Sequence, residues 1–290
     1  QGTGTIPGTT RDARPPLCAT PQAGRGHNPA LSAIDLSFDI IGDGGNNLVI
    51  LHGLLGMGRN WAGIARALDK DHRVLIVDLR NHGASPWTDE MTYEAMAADV
   101  AHLINNHCDG KADIIGHSMG GKTAMTLALT EPRLVGRTAI VDIAPALYDH
   151  DYESHLEAMA NLDVSVLSRR GEAETGLLDV LDDLFLVRFL IRNLKSDPSG
   201  HGFKWSVNLD ALARHMDDIL DFPIFDADQA FEGPVLFLAG GKSDYIQPYH
   251  QAEIERLFPQ AQIEVIANAS HWAHVDRPEE VVRVLESFLA

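Results

Sequence analysis

The chain has 290 residues, with 23 Lys+Arg against 41 Asp+Glu and a formal net charge of −18. Apolar residues at 45% and charged residues at 22% form a globular balance and exclude wholesale disorder. Acidity without a Lys/Arg cluster argues against a nucleic-acid partner and against docking on anionic lipid by charge. Two cysteines, Cys18 and Cys108, exclude a disulfide scaffold. No apolar run approaches the roughly 20 residues of a membrane span. Residues 1–30 lack the apolar stretch of a secretory signal, so the expected location is cytoplasmic. The first residue is Gln and the first Met is Met57, so the start reads as processed, tagged or truncated.

Residues 1–30 are rich in Gly, Thr, Pro and Ala, and a disordered leader is expected there. Leu36–Ile41 alternates like an edge strand and ends in the turn-rich Gly42-Asp43-Gly44-Gly45-Asn46-Asn47. Leu48–Leu51 is a continuous apolar run, the pattern of a strand buried on both faces of a parallel sheet. Asn60 is a candidate cap for a helix through Trp61, Ile64 and Leu68. Val74–Val77, Ala112–Ile115, Ala139–Ile143, Val235–Leu238 and Ile263–Ile266 read as strands. Tyr93–Ile104, Met119–Leu129, Gln251–Leu257 and Pro278–Leu289 read as helices. Strands alternating with helices imply an α/β fold, a mostly parallel sheet wrapped on both faces. The alternation breaks over 148–232, which shows helical stripes, one of them at Leu177–Ile191, and no convincing strand. That segment is expected to be an inserted helical cap over a core of 31–147 and 233–290.

Gly116-His117-Ser118-Met119-Gly120-Gly121 follows a buried strand and opens a helix. G-x-S-x-G in that context is a nucleophile elbow. Ser118 must stand on a tight turn, and side chains at 116 and 120 would collide with the neighbouring strand and helix. A serine hydroxyl needs a base. His271, after the last strand and before the closing helix, is the candidate, with His274 as its rival. The acid is Asp142, at the end of Ala139–Ile143, or Asp244, in Gly240-Gly241-Lys242-Ser243-Asp244-Tyr245-Ile246. Register favours Asp142, because Ser243 stands where an aspartate of that turn would be expected and Asp244 comes one residue late. The oxyanion donors are expected to be the amides of Met119 and Leu54, with Leu55 the alternative for the latter. His52, Asn81, Trp205 and Trp272 are candidate substrate-binding residues, although His52 also fits a purely structural loop role. Asp78 is expected to tie its own loop together. Lys122 is read as a helix-surface residue. No metal-ligand spacing, dinucleotide fingerprint or P-loop is present, so no cofactor or metal is expected.

The stretches His52-Gly53-Leu54-Leu55-Gly56, Asp78-Leu79-Arg80-Asn81-His82-Gly83, the elbow, Val141-Asp142-Ile143-Ala144-Pro145 and His271-Trp272-Ala273-His274 together resemble the YbfF-type esterases. Related mitochondrial α/β-hydrolase-domain proteins look similar. The resemblance spans about 36–290. It implies the α/β-hydrolase fold with an eight-stranded sheet and a helical cap, cofactor-free hydrolysis of acyl esters, and Asp142 as the triad acid. The expected activity is that of a serine carboxylesterase on a small-molecule acyl ester. An acyl-CoA thioesterase, a lyase or C–C bond hydrolase, and a non-catalytic ligand receptor are the alternatives.

Overall fold

The computed structural model describes residues 33–290, so the expected leader at 1–30 lies outside the described residues. The described chain begins at an edge strand, β1 (Phe38–Ile41), followed by β2 (Asn46–Leu51), α1 (Ala62–Leu68), β3 (His72–Val77) and α2 (Tyr93–His107). Next come β4 (Ala112–His117), α3 (Met119–Thr130) and β5 (Val135–Val141). After a long insertion the core resumes with β8 (Val235–Gly240), α9 (Gln251–Leu257), β9 (Ala261–Ile266), α10 (Ala273–Asp276) and α11 (Pro278–Leu289). The insertion itself holds α4 (Glu153–Asn161), α5 (Arg170–Leu181), α6 (Leu184–Leu190), β6 (Leu194–Ser196), β7 (Phe203–Trp205), α7 (Leu209–Arg214) and α8 (Met216–Leu220).

Seven strands form the main sheet in the order β1-β3-β2-β4-β5-β8-β9. Only β1 runs antiparallel, against β3. Among the described residues the sheet therefore has seven strands, where the family resemblance implied eight. The apolar runs behave as parallel-sheet strands should: all six residues of β4 and of β8 are buried. One core layer joins α2 and α3 to one face of the sheet through Val49, Leu75, Ile114, Val100 and Met125. The other joins α1 and α11 to the opposite face through Ile50, Ile76, Ile64 and Leu285.

The strand order reverses between β2 and β4, which pair directly with Leu51 opposite Gly116. In open α/β sheets, the crevice beyond the carboxyl ends of strands at such a switch point is where ligands bind. His52–Gly56 leaves β2 there, Ser118 leaves β4 there, and Asp142 leaves β5 one strand further on.

Three details differ from the sequence reading. Residues 148–232 are not purely helical, because β6 and β7 form a short antiparallel hairpin. Three-residue strands are too short to show an alternation. The stripe at Leu177–Ile191 is two helices, broken where Asp182 adopts φ +48°. Asn60 does not cap α1: it sits inside a 3-10 turn, and its Oδ1 accepts from the Met57 amide at 2.8 Å. No helix among the described residues is long and apolar enough to cross a membrane.

Candidate active site

The turn from β4 into α3 is forced. Ser118 sits at φ +51°, ψ −120° and is 7% exposed. Such a conformation costs an L-residue about 1–3 kcal/mol and persists only where the surroundings impose it. Here they do so through two glycines. A Cβ on Gly116 would lie 2.3 Å from the Gly120 carbonyl oxygen, and one on Gly120 would lie 2.5 Å from that of Leu51. The Ser118 amide donates to Val141 O at 3.1 Å, which locks the elbow to β5.

The residue after Val141 is Asp142, fully buried at φ +53°. Its Oδ1 accepts the Gly240 amide at 2.7 Å. Its Oδ2 accepts the Ser243 hydroxyl and lies 2.9 Å from His271 Nδ1. Of the two candidate acids, Asp142 is thus the one that meets the histidine. Ser243, which occupies the position where an aspartate was looked for, serves the carboxylate as a donor. His271 is further held by stacking on Tyr245, with ring centroids 3.8 Å apart and planes at 18°. Tyr245 in turn receives the Tyr148 hydroxyl on its carbonyl at 2.5 Å. Beneath the His271 backbone, His117 Nε2 donates to its carbonyl at 2.9 Å. Ser243, Tyr245 and His117 were not singled out as site residues from sequence; only Ser243 carried a signal, as the non-acid in an expected acid's place.

The loop after β2 presents its amides beside Ser118. Leu55 has φ +59°, and its N–H donates to His82 Nε2 at 3.2 Å. The other His82 nitrogen, Nδ1, donates to Arg80 O at 2.9 Å. His52 repeats the pattern: Nδ1 donates to Gly53 O at 2.8 Å and Nε2 accepts the Leu79 amide at 3.0 Å. Two neutral imidazoles thereby bolt the loop after β2 to the loop after β3. The Leu55 amide is engaged, so it does not compete with Leu54 as an oxyanion donor. The amides of Leu54 and Met119 take no protein acceptor among the described residues, and both residues line the cavity around Ser118. Asp78 fixes the same loops, accepting the amides of Gly58 at 2.7 Å and Ala84 at 2.8 Å.

Burial keeps these histidines neutral. Desolvation pushes His52 down to about 4, His82 down to about 3 and His274 down to about 3, and holds His117 well below the ordinary histidine range. A histidine with a depressed folded pKa binds its proton more readily when unfolded. Stability is therefore full above about pH 6.5 and falls as the pH drops from there toward 4. Thermal unfolding followed from pH 8 to pH 4.5 is expected to show a steep loss of Tm below 6.5. A second expectation follows from the His82 bridge. His82→Leu strands the Leu55 amide and lets the loop relax, so kcat falls about 10- to 100-fold, while His82→Gln, which keeps a donor and an acceptor, recovers part of it. Steady-state kinetics on the three proteins checks this.

One cavity is lined by Ser118, His271, Leu54, Trp272 and His52 together. Its outer wall comes from the insertion, through Tyr152, His155, Leu186 and Phe189. The Leu177–Ile191 stripe thus splits its duty: Leu177, Val187 and Leu190 are buried, while Leu186 and Phe189 face the cavity. Trp272 stands among the wall residues, edge-on to Phe185. Two candidate binding residues lie elsewhere. Asn81 is buried at φ +64° and uses Oδ1 to accept from the Thr88 amide at 2.8 Å and from Asn208 Nδ2 at 3.0 Å, pinning the insertion to the core. Trp205 lies in β7 and donates its indole N–H to Met159 O at 3.0 Å. His52 lines the cavity, but both of its ring nitrogens are already engaged. Lys122 is not on the surface: it is 1% exposed, and its Nζ reaches the backbone carbonyl of Leu220 at the end of α8.

Comparison with known proteins agrees with this architecture. The family model described as alpha/beta hydrolase fold matches residues 46–278. A Xenopus laevis protein named sn-1-specific diacylglycerol lipase ABHD11 is 41% identical over 271 residues, covering 90% of this chain and 85% of that protein. Esterase YbfF of Escherichia coli (strain K12) is 34% identical over 245 residues, covering 83% and 92%. The solved structure of a marine microorganism esterase superposes with a TM-score of 0.85 at 35% identity, covering 88% of this chain and all of that one. The chain belongs to the alpha/beta hydrolase fold family, and within it to the YbfF-type hydrolases.

Proposed function

We propose that the protein is a serine carboxylesterase for small to medium acyl esters, with Ser118 as nucleophile, His271 as base and Asp142 as the acid that orients it. The observation that carries the reading is the 2.9 Å contact of His271 Nδ1 with the buried Asp142 carboxylate, at the rim of the cavity that also holds Ser118. A carboxylate on Nδ1 fixes the tautomer that leaves Nε2 free to take a proton. Ser118 Oγ then attacks the acyl carbon while its proton passes to His271. The Leu54 and Met119 amides take the oxyanion. The His271 proton goes to the departing alcohol oxygen as its bond to the acyl carbon breaks. Water repeats the sequence on the acyl-enzyme and releases the acid, restoring Ser118. No step needs a metal or a cofactor.

The cavity walls of Leu186, Phe189 and Trp272 suit an apolar group beside the scissile bond. The relatives' names, an esterase and a diacylglycerol lipase, accord with ester cleavage. Residues 148–232, taken as the cap, supply part of that wall, so the cap is the element that sets substrate size. A cytoplasmic location belongs to the same proposal and accords with the bacterial esterase among the relatives.

The test is hydrolysis of p-nitrophenyl esters from acetate to palmitate. Turnover with an optimum among the short and medium acyl chains is expected. Absence of turnover on every ester overturns the reading.

A further inference from the structure

Lys122 is a buried lysine that forms no close ion pair among the described residues. Its side chain lies on α3 one turn beyond Ser118. Nζ donates to two backbone carbonyls at the end of α8, Leu220 O and Asp221 O, each at 2.7 Å. It stands 4.8 Å from the Tyr148 ring centroid and 5.6 Å from that of Tyr93. No carboxylate lies within ion-pairing distance of it among the described residues. The neighbouring tyrosines are already satisfied: Tyr93 donates to Ile219 O at 2.7 Å, and the Tyr152 and Tyr245 hydroxyls meet at 2.5 Å. Buried charges in proteins are normally paired, because an unpaired one bears its full desolvation cost. Desolvation accordingly pulls Lys122 down to about 7, with the Asp221 carboxylate, beyond ion-pairing distance, opposing the fall only in part.

The place of this ammonium gives it a use. A second, smaller cavity opens from Ser118, Leu54 and Met119, and Lys122, Tyr93 and Tyr148 also line it. His271 lines the larger cavity and not this one. The general acid must stand beside the oxygen it protonates, so the leaving alcohol belongs in the larger cavity. The acyl group belongs in the smaller one, whose lining includes Lys122.

We propose that Lys122 is the counter-ion for a second carboxylate on the substrate's acyl group, so that half-esters of short dicarboxylic acids are preferred acyl donors. This rests on the serine-esterase reading of the same site. The third Nζ donor meets the distal carboxylate, and the substrate supplies the close ion pair that the fold does not. A charge-assisted hydrogen bond of this kind is among the stronger ones available to a buried group.

The experiment compares octyl hydrogen succinate with octyl pentanoate, two esters of matched acyl length and identical leaving group, in wild type and Lys122→Met. The readout is the ratio of kcat/KM for the two esters within each protein, which is independent of how much of a variant folds. In wild type the half-ester is the better substrate, and in Lys122→Met the ratio falls at least about tenfold. An unchanged ratio, or a wild type that cleaves the pentanoate and not the half-ester, overturns the proposal. Ser118→Ala is run on both esters alongside: turnover that survives it removes the esterase reading itself, and so separates the two failures.

Discussion

With Ser118 as the proposed nucleophile, Ser118→Ala is expected to lower kcat for ester turnover by about 10^4-fold or more while leaving the fold in place. The size follows from the role. Without Oγ no acyl-enzyme forms, and the residual rate comes only from water attacking a carbonyl held against the Leu54 and Met119 amides. The fold survives because the elbow's geometry is imposed by Gly116, Gly120 and the bond from the residue 118 amide to Val141 O, none of which involves the hydroxyl. Alanine at φ +51° is strained as serine is, so Tm should change by only a few degrees. Kinetics and thermal unfolding on one preparation check both halves.

Asp142→Asn is expected to lower kcat by about 10^3- to 10^4-fold with KM little changed. The direction comes from hydrogen-bond polarity. Oδ1 must keep accepting the Gly240 amide at 2.7 Å, so the new NH2 replaces Oδ2 and faces His271 Nδ1. Two donors cannot meet there. The imidazole turns to the tautomer with its proton on Nε2, and that nitrogen can no longer take the proton of Ser118. Asp244→Asn, at a carboxylate that makes no bond to His271, should retain near-full turnover. If Asp244→Asn were instead the inactive variant, the assignment of the acid would be wrong.

Much of this was legible in the chain. Buried parallel strands announce themselves as apolar runs, and β4 and β8 are buried at every position. The elbow is legible because its steric demand can be met only by glycine at 116 and 120. The acid was a choice between two carboxylates, and the one-residue offset at Ser243-Asp244 favoured Asp142. What sequence withheld was whatever depends on tertiary packing. Asn81 and His82 sit in one loop, yet Asn81 turns outward to Asn208 and His82 inward to the Leu55 amide, and no local pattern distinguishes these directions. Lys122 reads as surface because lysine is rarely buried, and only the approach of α8 encloses it. Trp205 was a reasonable lining residue by type, but the β6–β7 hairpin that carries it was too short to be seen. The sheet's strand count was an expectation from resemblance rather than from the residues.

The proposed chemistry makes Ser118 a nucleophile activated by His271. The direct measurement is covalent trapping with a fluorophosphonate, read by intact mass and peptide mapping. One adduct per chain is expected, on Ser118, formed much more slowly in His271→Ala and absent in Ser118→Ala. An adduct at another residue, or no adduct in a wild-type protein that turns over ester, would contradict it.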